Sequence, residues 1–135
     1  MIVIERIGTG GTAHRITIGP HEIVTDMSLA EGGMAEGPDP HDLYDAAVGA
    51  CKALTMVWYA QRKGIALEGV RVGMARDASA EREGLYRLTA RIAIDGPMSA
   101  EDREKLIEVA DKCPVHKLMT QVETQIETIA VPPTR

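Results

Sequence analysis

The sequence contains no phenylalanine, and only one tryptophan and three tyrosines among its 135 residues. A core locked by stacked aromatic rings is therefore excluded. The 44% of hydrophobic residues must build it from aliphatics, alanine and seven methionines. A basic excess is missing too, since 15 Lys and Arg stand against 20 Asp and Glu, for a net charge of −5. No stretch interleaves Lys and Arg with aromatics, which argues against nucleic acid as a partner. No run of apolar residues reaches the length of a membrane span. The start, Met1-Ile2-Val3-Ile4-Glu5-Arg6, has neither a basic n-region nor an apolar segment long enough for a signal peptide, so the expected location is the cytoplasm. Cysteine is scarce, with only Cys51 and Cys113. In a reducing compartment a permanent structural disulfide is disfavoured, and two distant cysteines read as buried thiols, metal ligands or a transient redox pair.

The length suits one domain over residues 1–135, with no room for a separate cofactor domain. Residues 2–7 and 14–25 alternate as strands, joined by Gly8-Thr9-Gly10-Gly11 as a hairpin connection. Residues 30–40 carry three Gly and two Pro without a period and read as a loop of functional length. Asp39, Pro40 and Asp42 then signal a helix start by N-cap, N1 proline and first-turn acid, and Gly64 stops the helix near residue 63. Leu43, Ala47, Ala50, Leu54, Val57 and Trp58 form its apolar stripe, and Lys52 is the only charge between Ala46 and Ala60. A helix this apolar all round is expected to be buried on most sides. A small domain can hardly surround it alone, so a homodimer sharing the helix is expected.

Residues 68–77 and 84–94 read as two further strands with a polar turn over 78–83. Ser99 and Asp102 form a capping box ahead of a second helix that ends near Asp111, with Leu106, Ile107, Val109 and Ala110 on its apolar face. Val115–Thr120 reads as a short turn or helix, and Val122–Val131 alternates as a final strand. The order is strands, long helix, strands, helix, strand, an α+β fold.

Gly8-Thr9-Gly10-Gly11-Thr12-Ala13 mimics a dinucleotide fingerprint, but a strand follows where the pyrophosphate-binding helix should begin. Cys113-Pro114-Val115-His116 has a C-x2-H spacing that Cys51 and His41 could nominally complete as a zinc site. His41 and Cys51, however, sit about 15 Å apart along one helix at 1.5 Å per residue, too far to share an ion. Cys51 alone reads as a small residue allowing close packing. It lies about three turns inside the helix, so reactivity there needs polar groups brought in by the fold. Cys113 falls at the end of an element, which makes it the more mobile thiol. A thiol peroxidase needs such a pair, one thiolate to attack the O–O bond and a second thiol to close a disulfide.

Three blocks, Gly37-Pro38-Asp39-Pro40-His41-Asp42-Leu43, Ala46-Ala47-Val48-Gly49-Ala50-Cys51 and Lys112-Cys113-Pro114-Val115-His116-Lys117, closely resemble the OsmC family, which includes the organic hydroperoxide resistance proteins. Asp26 with Glu31-Gly32-Gly33, and Gly64 with Leu67-Glu68-Gly69-Val70, resemble it in the same order. The resemblance implies an intertwined homodimer, with antiparallel sheets of both chains wrapped around two long central helices. It implies that Cys51 is the peroxidatic and Cys113 the resolving cysteine, acting on alkyl or fatty-acid hydroperoxides with a small dithiol as donor. No metal, haem or flavin is implied. In the best-characterised branches of that family a Glu ten residues before the peroxidatic Cys pairs with an Arg from the N-terminal region, and the Arg stabilises the thiolate. Here that position is His41, next to Asp42, and the nearest Arg candidate is Arg15, with Arg6 behind it. An apolar lining from Leu54, Met56, Val57 and Trp58 would favour organic peroxides. Two other readings fit the same residues: a ligand-binding stress protein with inert thiols, and a thiol redox sensor.

Overall fold

A three-stranded antiparallel meander opens the chain, β1 (Ile2–Arg6), β2 (His14–Ile18) and β3 (His21–Thr25). Its register pairs Ile4 with Ile16 and Ile16 with Ile23, so the alternating apolar residues stack across the strands. The single strand expected over 14–25 is divided in two. Gly19, in the left-handed region at φ 57°, and Pro20, which has no N–H for the ladder, turn the chain back. These coordinates come from a computed structural model that describes residues 1–133, so the last two positions of the expected 1–135 span lie outside the described residues.

Asp26 organises the glycine-rich loop that follows. It is buried, and its carboxylate accepts from the Thr12 hydroxyl and from the N–H groups of Met27, Met34 and Glu36. The Thr12 hydroxyl, then these amides, hold its carboxyl below the usual aspartate range against the opposing effect of burial. Glycine is required here by closeness: a Cβ on Gly37 would lie 1.9 Å from the Val24 carbonyl oxygen. A short 3-10 turn at Leu29–Glu31 lies within the loop.

Helix α1 runs over Pro40–Lys63, as its start and stop signals require. Asp39 accepts from the Asp42 N–H, Asp42 returns the bond to the Asp39 N–H, and Gly64 ends the helix at φ 67°. The buried face differs from the stripe expected. Asp45, Val48, Gly49, Lys52, Met56 and Ala60 turn inward, while Ala47, Ala50, Leu54, Val57 and Trp58 are exposed and Leu43 is half-buried. Apolar residues surround the helix, so periodicity marks no unique face, and one chain supplies cover on one side only.

That cover is the antiparallel hairpin β4 (Gly69–Asp77) and β5 (Arg87–Asp95), with Val72 opposite Ile92, together with α2 (Ala100–Asp111). The second strand starts at Arg87 rather than residue 84, because Gly84 closes a 3-10 turn over Glu81–Glu83 at φ 89°. Ser99 caps α2 by accepting from the Asp102 N–H. Met56, Ala60, Ile94, Leu106 and Ala110 pack as the core. Helix α3 (Pro114–Gln121) follows, with Pro114 at its first position.

The final strand expected over Val122–Val131 is not formed. Its alternation is real, but a strand exists only against a neighbouring edge, and this segment pairs with none among the described residues. Ile126 is 84% exposed and Ile129 71%. The architecture is α+β, with antiparallel sheets and a long helix.

Candidate thiol site

Cys51 lies in the middle of α1, beyond the influence of that helix's own N-terminus. The fold brings another helix end to it. The N–H of Val115, in the first turn of α3, donates to Cys51 Sγ at 3.4 Å, and the Thr55 hydroxyl lies 3.9 Å from the sulfur. First-turn amides have no acceptor inside their own helix, so Val115 has its N–H to give. Cys51 is half-buried.

Cys113, expected from its place at an element end to be the more mobile thiol, is the residue immediately before α3 and is fully buried. Its N–H donates to the Ala110 carbonyl at 3.3 Å and its carbonyl accepts from the Lys117 N–H at 3.2 Å, so the backbone is fixed on both sides. Burial pushes the Cys113 thiol up. The His116 N–H and the charge of Lys52 work against this, while the facing Cys51 thiol adds to it. Both cysteines are free thiols, and the structure brings them together.

Lys52 turns inward beside them. Its ammonium donates to the Ala110 carbonyl at 3.1 Å and lies 2.8 Å from His116 Nδ1. Lys52 and His116 also line a cavity of about 800 Å³, whose apolar wall includes Val48, Met74, Leu88, Ile92 and Met119. The lining expected from Leu54, Met56, Val57 and Trp58 is not found there. Met56 is in the core, and the other three are exposed.

His41 and Arg15 do not join the cysteines within this chain. His41 Nε2 bonds to the Glu81 carboxylate at 2.9 Å, with its ring edge-on to Tyr86. Arg15, on β2, pairs with Glu22 at 3.4 Å. Asp42 is bound by the Arg76 guanidinium, which holds its carboxyl below the usual range. Arg76 also donates to the buried Asp45 at 2.6 Å, and the Tyr86 hydroxyl donates to the second Asp45 oxygen at 2.6 Å. Burial first, then Asp45, pushes the Tyr86 phenol up to about 12. This network ties the start of α1 to the β4–β5 hairpin. Among the described residues no cluster of three or more His, Cys, Asp and Glu could hold a metal ion, and Gly8–Ala13 leads into β2 rather than a helix.

Sequence reasoning passed over Lys52, Asp45, Arg76 and Tyr86. Lys52 alone had a legible signal, as the single charge in an apolar helical stretch. Asp45 stands at an ordinary helical position, Arg76 at an ordinary strand position and Tyr86 in the connection just before β5.

The profile of the OsmC-like protein family matches residues 32–128. No curated protein matches the sequence. Among solved structures, the OsmC-like protein from Mycoplasma pneumoniae is similar at TM-score 0.67 and 19% identity, covering 82% of this chain and 80% of that one. The organic hydroperoxide resistance protein OsmC of Legionella pneumophila is similar at TM-score 0.64 and 21% identity, with 90% of both chains covered. The organic hydroperoxide resistance protein OhrB of Bacillus subtilis is similar at TM-score 0.58 and 20% identity, again over 90% of both chains. These likenesses establish the fold, and the match over most of the sequence places the chain in the OsmC-like protein family.

Proposed function

We propose that the protein is a single-domain, cytoplasmic thiol peroxidase that reduces organic hydroperoxides, with Cys51 as the peroxidatic and Cys113 as the resolving cysteine. The observation that carries this reading is the Val115 N–H on Cys51 Sγ, beside a second free thiol. A helix N-terminus favours negative charge on the sulfur, and the thiolate is the nucleophile. It attacks the terminal peroxide oxygen, the O–O bond breaks, and the alkoxide leaves as the alcohol after taking a proton. Cys51 is then a sulfenic acid. Cys113 attacks that sulfur, the S–O bond breaks, water departs, and the resulting disulfide is reduced by a small dithiol.

The largely apolar wall of the neighbouring cavity suits an organic substrate. The Legionella and Bacillus neighbours, named as organic hydroperoxide resistance proteins, support the same class. A homodimer belongs to this proposal. The exposed stripe of Leu54, Val57 and Trp58 and the unpaired, alternating Val122–Val131 segment are surfaces a second copy would cover. In that assembly Arg15 or His41 would tune the site from the partner's side or through a rearranged first turn.

Purified protein, given an alkyl hydroperoxide and a dithiol, is expected to consume peroxide in many turnovers and to lose this activity in Cys51→Ser. Absence of turnover, or its survival in Cys51→Ser, rejects the enzyme. A redox sensor is the second reading, and the burial that pushes the Cys113 thiol up favours it by slowing resolution. A sensor would form the Cys51–Cys113 disulfide yet turn over slowly at saturating donor.

A further inference from the structure

Among the described residues Lys52 is a buried cation with only neutral partners. Its ammonium is held by the Ala110 carbonyl and His116 Nδ1, and no carboxylate forms an ion pair with it among the described residues. A buried charge is costly unless an opposite charge compensates it. Asp111 lines the same cavity without pairing with the ammonium, and the other neighbours able to carry a negative charge beside it are the thiols. Cys51 is adjacent in sequence, and the Cys113 N–H shares the Ala110 carbonyl with the Lys52 ammonium. The other titratable or charged groups around this region are His116 from α3, Asp111 at the end of α2, and Tyr44, Tyr86 and Arg87 on the cavity wall. Of these, Tyr86 is already bonded to Asp45.

Resting on the reading of Cys51 and Cys113 as a redox pair, we propose that Lys52 is the positioning cation of the site, stabilising Cys113 as the thiolate that resolves the Cys51 sulfenic acid. His116, accepting through Nδ1, fixes the ammonium in place. In that step the Cys113 sulfur attacks the Cys51 sulfur, the S–S bond forms, and the S–O bond breaks. Hydroxide leaves and is protonated by solvent. Lys52 thus supplies from within α1 a cation for the second thiol, while Arg15 on β2 is paired with Glu22.

The test reads the Cys113 thiol directly. In a Cys51→Ser background Cys113 is the only cysteine, and its ionisation can be followed by thiolate ultraviolet absorbance against pH. Lys52→Met is expected to raise the midpoint by about one pH unit, equal to about tenfold less thiolate at a given pH below it, since a nearby opposite charge lowers an acid's pKa by about 1–3 units. Lys52→Arg, which keeps the charge, is expected to leave the midpoint near its starting value. A midpoint unmoved by Lys52→Met overturns the proposal. Should Lys52→Met fail to fold, Lys52→Gln keeps N–H donors for the Ala110 carbonyl without the charge, and the same comparison decides. This titration needs no peroxide, so the cation role and the peroxidase reading can fail separately. Loss of the cation role leaves hydroperoxide consumption by the native protein to be judged independently.

Discussion

The N–H of Val115 donates to the sulfur of Cys51 at 3.4 Å, joining two positions 64 apart in sequence. Residues 114–121 form a helix whose first turn must find acceptors outside itself, and the cysteine sulfur is one of them. A thiol three turns inside one helix thereby gains the electrostatic environment of a helix start.

Removal of the second thiol tests the order of events. With stoichiometric alkyl hydroperoxide, the native protein is expected to give an intramolecular Cys51–Cys113 disulfide. Cys113→Ser, unable to close it, is expected to carry sulfinic acid on Cys51 when peroxide is in excess. Intact-mass and peptide mass spectrometry distinguish the two products, and an unmodified Cys51 in Cys113→Ser contradicts the assignment.

The Asp45 network makes a stability prediction. Asp45 accepts from Arg76 and Tyr86 and is buried, so Asp45→Ala strands two donors in place. Its expected cost is about 2–3 kcal/mol by urea denaturation, the range for orphaning a buried or charged hydrogen-bond partner. Tyr86→Phe removes one donor and leaves Arg76 to compensate Asp45, and is expected to cost about 1 kcal/mol.

Asp26 sets a pH dependence. Hydrogen bonds hold its folded carboxyl below the unfolded aspartate value of about 3.9. A depressed folded pKa means that the contribution is fully present above that value and is lost as pH falls from there through the folded pKa. Stability measured between neutral pH and pH about 3 should therefore fall less steeply in Asp26→Asn than in the native protein. Identical pH slopes would show that Asp26 is not coupled to folding.

The exposed stripe of α1 makes a prediction about assembly. Leu54 is 69% exposed and Trp58 53%, side by side with Val57. A charge there should oppose a dimer without disturbing the core formed on the other face. Leu54→Arg is expected to shift the protein from dimer to monomer in sedimentation velocity at micromolar concentration. A native protein that sediments as a monomer removes the dimer from the proposal.

Much of the fold was legible because its signals are local. Asp39, Pro40, Asp42 and Gly64 act within a single helical turn at each end of α1, and they bound it at Pro40–Lys63 as read. The β4–β5 hairpin follows from alternation alone. The same locality explains the errors. Gly19 and Pro20 divide a strand through backbone geometry that alternation ignores, and Val122–Val131 alternates without any edge to pair with among the described residues.

The sequence by itself determined the element types, the ends of the long helix, the family motifs and the identity of the two thiols, since each depends on residues a few positions apart. Tertiary structure decided the rest of the site. Which face of an all-apolar helix turns inward depends on what packs against it. That choice buried Lys52, whose partners Ala110 and His116 lie 58 and 64 positions away. It also set Cys51 against the start of α3 and left Arg15 and His41 to other carboxylates. Short-range periodicity carries no information on contacts at that separation, because they arise only when the packing of helices and sheet closes the chain on itself.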